Sequence, residues 1–282
     1  MEELLYPFCM RKHFGLVVAA IGLGVLVSGC IGQDPGPSEK TVTEAPNKSA
    51  RDFRPTCSPA CGEDEYCVNA KPKEMCRPKP EAPPFEVELP FDNSTDIYCV
   101  HSSGEGTHSW RNAFWALDLS NRYEEDSPIV RASADGVAFV YLDDDGKLCP
   151  QPPGTPADAD ASDCGHSWGN RVKIRHQGDY FTFYVHLERP LVKTGDVVKK
   201  GDPIGVMGWT GFAGHRHLHW SLQRILTSSA NGDPMDGNSE SVPFKFWVTR
   251  EGRRELMDTT KLECPHEHVG RVENQPYFRG TY

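Results

Sequence analysis

Residues 181 to 222 narrow the possible folds more than any other part of the chain. Phe181, Phe183, Val185 and Leu187 alternate with Thr182, Tyr184 and His186. That period of two is the mark of a strand with one apolar and one polar face. Val192 to Gly205 then sets two Gly-Asp pairs, Gly195-Asp196 and Gly201-Asp202, between short β-branched runs, as a tight meander requires. A glycine-rich loop, Gly208-Trp209-Thr210-Gly211-Phe212-Ala213-Gly214, leads into His217-Leu218-His219. In a strand, His217 and His219 leave one face while Leu218, Trp220 and Leu222 leave the other. Two imidazoles roughly 6–7 Å apart along a backbone can converge on one metal ion or one water. A pair of solvated histidines is the plainer reading of the same pattern.

The chain as a whole fits an all-β, largely antiparallel domain. Short strands recur at turn-punctuated intervals from residue 87 to 250, with no long amphipathic helix. Residues 113–119 read as a strand, with Ala113, Trp115, Leu117 and Leu119 set against Phe114, Ala116 and Asp118. An aspartate in such a run is costly unless paired or bound to metal. Asp143-Asp144-Asp145 opens a proline-containing loop bracketed by Cys149 and Cys164, expected to be a disulfide-closed surface insertion without calcium-loop spacing. Pro243-Phe244-Lys245-Phe246 reads as a closing strand. Residues 251–282 read as a charged tail whose His266 and His268 lie at the surface. Cys264 is expected to pair with Cys99 and tie that tail to the first strand. A net charge of −10 argues against a nucleic-acid partner.

The N-terminal third has a different character. Arg11-Lys12-His13 precedes an apolar run from Phe14 to Val27, too short for an ordinary membrane span. Val27-Ser28-Gly29-Cys30 looks like a lipobox, so residues 1–29 read as a lipoprotein signal peptide, with Met10 as a possible true start and Cys30 as the lipidation site. An uncleaved anchor is the alternative. Ile31 after the cysteine favours the outer membrane. Residues 30–56 read as a flexible tether whose ends lie on the order of 30 Å apart. Ten cysteines less Cys9 and Cys30 leave an even number, as a disulfide-bonded exported chain requires. Cys57, Cys61, Cys67 and Cys76 fall in a segment too short for a hydrophobic core, so two bridges staple residues 57–76. Their connectivity is open, with interleaved 57–67 and 61–76 favoured over a zinc knuckle. A proline-rich linker follows over 77–86.

Four elements occur in order between 184 and 219: Tyr184-Val185-His186-Leu187, the Val192–Gly205 hairpin, Gly208-Trp209-Thr210-Gly211 and His217-Leu218-His219. Together they resemble the lysostaphin-type, LytM-like zinc metallopeptidases of bacterial cell walls, which have a duplicated-hybrid-motif fold. Ser127–Ala138 and Gly169–His176 resemble further strands of that family, and the likeness covers about 97–248. It implies one zinc ion and peptidoglycan as substrate. It also implies His217 as general base and His186 as its partner at the developing oxyanion, neither of them a ligand. Ligands carried over are His219 and Asp118. The family's third ligand stands four residues before the aspartate, where this chain has Phe114. His108 is the expected replacement, with His101 in reserve. Arg216 stands where relatives usually carry proline. The alternative is a catalytically degenerate module that binds the wall or activates another wall hydrolase; a purely structural lipoprotein is the third reading. Phe114 favours degeneracy, while the retained His186, His217, His219 and Asp118 oppose it.

Overall fold

The structure, a computed structural model, describes residues 55, 57–69, 73–121, 127–142, 146–150, 168–227, 239–264 and 277–282. The expected signal peptide, Cys30, most of the tether, Cys164, His266 and His268 lie outside these residues. Fifteen strands are formed, and no α-helix occurs among the described residues. In chain order they are β1 (Glu65–Val68), β2 (Met75–Pro78), β3 (Val87–Glu88), β4 (Ile97–His101), β5 (Leu117–Asn121), β6 (Ile129–Arg131), β7 (Gly136–Tyr141) and β8 (Asn170–Arg175). Then follow β9 (Tyr180–Pro190), β10 (Val197–Val198), β11 (Pro203–Met207), β12 (Leu218–Ile225), β13 (Ser239–Ser241), β14 (Lys245–Arg250) and β15 (Arg253–Asp258).

The main sheet has ten strands, with the path β10-β7-β8-β9-β12-β5-β4; β11 joins β6 to β9, and β13 extends β12. Its pairs are antiparallel, as the meander pattern requires. A three-stranded sheet, β15-β14-β3, stands beside it, and β1 and β2 form a separate hairpin. The core between the sheets gathers Tyr184, Leu218, Trp220 and Leu222 with Phe244 and Phe246. Trp220 lies 5.0 Å from the Phe244 ring and 5.3 Å from the Phe246 ring, both edge-on.

Three expectations change on contact with the structure. First, the alternation in β9 does not run through to Leu187. Phe181, Phe183 and Val185 form one cluster, whereas Leu187 packs in the main core with Tyr184. The cause is a bulge: Val172 pairs with Tyr184 and Asn170 with Leu187, so β9 carries one extra residue, and His186 takes a left-handed φ of 64°. Second, residues 113–116 are turns, closed by Ala113 N–H to Trp110 O and Ala116 N–H to Ala113 O, and the strand starts only at Leu117. Phe114 and Trp115 are thereby released from the sheet to pack on Tyr66. Third, the segment past 250 is not a plain tail. Arg253–Asp258 pairs along the whole of β14 and Tyr282 reaches back to donate to Ala132 O, while Cys264 is bonded to Cys99 as expected.

In the hairpin, Cys57 is bonded to Cys67 and Cys61 to Cys76, the interleaved pattern. Cys149 is disulfide-bonded as well.

Candidate metal centre

Asp118 lies near the start of β5 and pairs directly with His219 of β12, so both side chains leave the same face of the sheet. On its other side, across a register shift in β4, Asp118 faces His101. Next to His219 on β12's far side stands Val185 of β9. His108 comes from outside the sheet, on the 3-10 turn Gly106–Ser109 between β4 and β5.

Three donor atoms meet here. His108 Nε2 is 3.0 Å from Asp118 Oδ1 and 3.1 Å from His219 Nδ1, and His219 Nδ1 is 3.0 Å from the same carboxylate oxygen. All three residues are buried. His101 is not part of the trio. Its Nδ1 sits 3.0 Å from the other carboxylate oxygen, Oδ2, and so orients Asp118 while leaving Oδ1 to face the histidines.

Burial disfavours charge on Asp118, yet His108, His217 and the bonds from His101 and His108 outweigh it and hold the carboxyl well below its usual range. For His108, burial is likewise outweighed by Asp118, and its pKa is raised. His219 goes the other way, lowered by burial despite the carboxylate.

Backbone carbonyls fix the protons on three of the histidines. Ser102 O is 3.0 Å from His108 Nδ1, Thr210 O is 2.8 Å from His186 Nδ1, and His215 O is 2.9 Å from His217 Nδ1. A carbonyl only accepts, so each Nδ1 carries the hydrogen, and in the neutral rings of His186 and His217 that leaves Nε2 a bare lone pair. For His108 it leaves Nε2 as the ring atom directed at Asp118 Oδ1 and His219 Nδ1. His217 Nε2 lies 3.8 Å from Asp118 Oδ1, beside the trio but outside it, and the His186 and His217 rings are 4.8 Å apart. Burial, with the neighbouring His219, pushes His186 down to about 4; burial pushes His217 down to about 3 against the pull of Asp118. Both are neutral proton acceptors at neutral pH.

His186 reaches this cleft through the bulge. In a regular strand it would share the face of Tyr184, which is the core face, because Val185 is the residue that pairs with His219. The left-handed φ re-aims the imidazole, at a cost of order 1 kcal/mol or more. Gly169 makes room for the arrangement. At φ 60°, a Cβ there would sit 2.4 Å from the Thr210 carbonyl that holds His186.

The residues that the sequence singled out are therefore brought together: His108, Asp118 and His219 as a trio, His186 and His217 beside them, and His101 behind Asp118. Phe114, at the position expected for a ligand, faces Tyr66 and Gly104 instead. The locking carbonyls of Ser102, Thr210 and His215 had no sequence signal, since every residue offers a carbonyl. Trp168, 5.5 Å from the His219 ring, was equally unmarked.

Two imidazole nitrogens and one carboxylate oxygen suit a zinc ion, and three atoms about 3 Å apart can each reach one ion at the usual ~2.0–2.1 Å. With neutral bases at its side, this is the donor chemistry of a metal-dependent hydrolase. Comparison with known proteins gives the same class a name. Residues 120–237 match the model of peptidase family M23. That match takes in His186, His217 and His219 and stops short of His108 and Asp118. Over 54 residues, 19% of this chain, the sequence is 52% identical to the peptidoglycan DD-endopeptidase ShyC of Vibrio cholerae serotype O1. Over 69 residues, 24% of the chain, it is 39% identical to lysostaphin of Staphylococcus simulans. The chain spans 12% and 14% of those relatives' own lengths. The solved catalytic domain of lysostaphin from Staphylococcus simulans matches 51% of this chain and 92% of its own at 23% identity, with a TM-score of 0.30, too loose a superposition to add weight.

Proposed function

We propose that this protein is a zinc metalloendopeptidase that hydrolyses peptide bonds of bacterial cell-wall peptidoglycan. The observation that carries the reading is the convergence of buried donors from His108, Asp118 and His219 beside two histidines whose Nε2 atoms are bare. A zinc ion held by those three residues supplies Lewis acidity, acidifying water and polarising a peptide carbonyl. His217 Nε2, kept neutral by burial, takes a proton from the attacking water as general base and returns it to the leaving amine. His186, its ring 4.8 Å from that of His217, offers a bare Nε2 as a second acceptor that orients the attacking water, and not a donor to the developing oxyanion as the resemblance implies. His101 holds Asp118 Oδ2 so that Oδ1 stays aimed at the histidines. Peptidoglycan as the substrate is supported by the names of the relatives, a peptidoglycan DD-endopeptidase and lysostaphin. The 3.0 Å approach of His108 Nε2 to Asp118 Oδ1 supports the active reading over the degenerate one that Phe114 suggests.

Purified protein is expected to carry one zinc per chain, to lose zinc and clearance of purified sacculi together on chelation, and to regain both on adding zinc. Clearance by zinc-free protein refutes the metal reading. Binding to sacculi without clearance, at full zinc occupancy, supports the degenerate module instead. The location proposed is the cell envelope, with a lipid on Cys30 holding the domain at the outer membrane, facing the periplasm or the cell surface; the lipobox-like run supports it. Cys30→Ala is then expected to move the protein out of the membrane fraction. Retention there would mean that the apolar segment itself is the anchor.

A further inference from the structure

We infer that the disulfide-stapled hairpin of residues 57–78 is a positioning element for the ligand His108, so that hairpin and metal centre form one working unit. The inference rests on the metal-centre reading given above.

His108 is the one member of the donor trio that no strand holds. Its turn is fixed from the inside by Ser102 O at Nδ1 and by its own N–H to Glu105 O at 2.8 Å. From the outside it is fixed by the hairpin. Asn69, directly after β1, donates its N–H to Ser109 O at 2.8 Å, and its Nδ2 donates to Ser109 Oγ. The residue next to the ligand is thus gripped at main chain and side chain together, and Asn69 also forms a parallel bridge with Trp110.

The apolar side of the hairpin serves the same loop. β1 buries alternate residues, Tyr66 and Val68, in a cluster with Trp115 and Phe114. The Tyr66 ring lies 4.5 Å from that of Phe114 and 5.7 Å from that of Trp115. Phe114 passes the contact inward: its carbonyl accepts from Gly104 N–H at 2.8 Å, and its ring fills the space where a Gly104 Cβ would stand 2.9 Å away. Gly104 lies two residues from Ser102, whose carbonyl fixes the His108 tautomer. A chain of contacts therefore runs from Tyr66 through Phe114 and Gly104 to the group that orients the ligand. A mere spacer needs a covalent connection and a polar surface. This hairpin, with two disulfides in place of a core, directs both of its buried apolar side chains at the loop that carries His108. Such outer contacts of a ligand typically control about 10–100-fold in metal affinity.

The test uses the purified full chain and two readouts: zinc affinity by chelator competition, and the visible spectrum of the cobalt-loaded protein, which reports the number and type of ligands. Asn69→Ala and Tyr66→Ala are expected to weaken zinc about 10–100-fold and to change the cobalt spectrum. Tyr66→Phe keeps the ring and is expected to match the wild type in both. Cys61→Ser/Cys76→Ser, which removes one of the hairpin's two staples, is expected to shift both readouts in the direction of Tyr66→Ala. Wild-type affinity and spectrum in Asn69→Ala and Tyr66→Ala overturn the inference while leaving the metal centre standing. If Tyr66→Ala fails to fold, Asn69→Ala, which removes only the side-chain bond to Ser109 Oγ, decides alone. A wild-type chain that binds no zinc overturns both readings.

Discussion

Two residues apart on one strand, His219 and His217 should fail in different ways when replaced by alanine. His219 Nδ1 stands 3.0 Å from Asp118 Oδ1 and 3.1 Å from His108 Nε2, inside the donor trio. Zinc in four-ligand protein sites binds with about 10–16 kcal/mol, so one ligand is worth about 3 kcal/mol, or about 100- to 1,000-fold in affinity. His219→Ala is therefore expected to leave dialysed protein without stoichiometric zinc and without activity. His217 Nε2 is 3.8 Å from Asp118 Oδ1, and its Nδ1 is committed to His215 O. Its removal takes no donor from the trio, so His217→Ala should keep near-stoichiometric zinc. Loss of a general base costs about 10²–10⁴-fold in rate, and turbidity clearance of sacculi should slow by at least about a hundredfold. Metal content by elemental analysis and clearance rates, with circular dichroism as a folding check, give the comparison. Equal zinc loss in the two variants would refute the division of roles. Unimpaired clearance by His217→Ala would pass the role of base to His186.

Further expectations concern the frame around the site. Gly169→Ala places a Cβ against the Thr210 carbonyl at a left-handed φ, so it should cost about 1–3 kcal/mol of stability and slow clearance at least about tenfold while zinc is retained. Trp220→Ala empties a fully buried site against Phe244 and Phe246 and should cost about 3–5 kcal/mol in denaturant unfolding, with no specific effect on metal affinity in the folded fraction. His176 is buried between Asp135 O and Thr182 Oγ1, and burial lowers its pKa. The folded chain then binds fewer protons than the unfolded one as the medium acidifies. Its contribution is complete above the unfolded value of about 6.5 and is lost as pH falls through the lower folded value. His176→Gln should flatten the fall of stability below pH ~6.5 by up to about 1.4 kcal/mol per pH unit; an unchanged slope counts against a buried neutral His176.

The strands and turns that could be read in the sequence are those in which side-chain identity and backbone geometry agree. Gly195 and Gly201 have positive φ, at 96° and 92°, in the Gly-Asp turns. Leu218, Trp220 and Leu222 fill the core, while His219 leaves the other face toward the donor trio. Sequence pattern and structure part where the backbone departs from its period. Apolar alternation cannot reveal an added residue in β9, so it places Leu187 on the wrong face. Residues 113–116 alternate as a strand would, yet their backbone turns, because Trp115 and Phe114 find partners on the hairpin rather than across a sheet. β15 is partly solvated at the edge of its sheet, with burial falling mainly on its partner, and its charged sequence hid it among tail residues. His108 carried only a weak signal. A ligand supplied by a turn obeys no fixed spacing, and what selects it over His101 is the side of Asp118 that each one reaches.

The added residue in β9 makes site chemistry a matter of parity. Between paired positions, β8 advances from Asn170 to Val172 while β9 advances from Tyr184 to Leu187, an even step against an odd one. Deleting a single residue within that stretch would restore the even count, satisfy the ladder and leave the apolar inventory of the core almost intact. Yet an imidazole retained there would turn inward beneath the sheet, away from His217. Residue-by-residue identity at the histidines therefore does not by itself describe a competent cleft. Strand length counts as well, and a chain can lose its second acceptor without a single substitution.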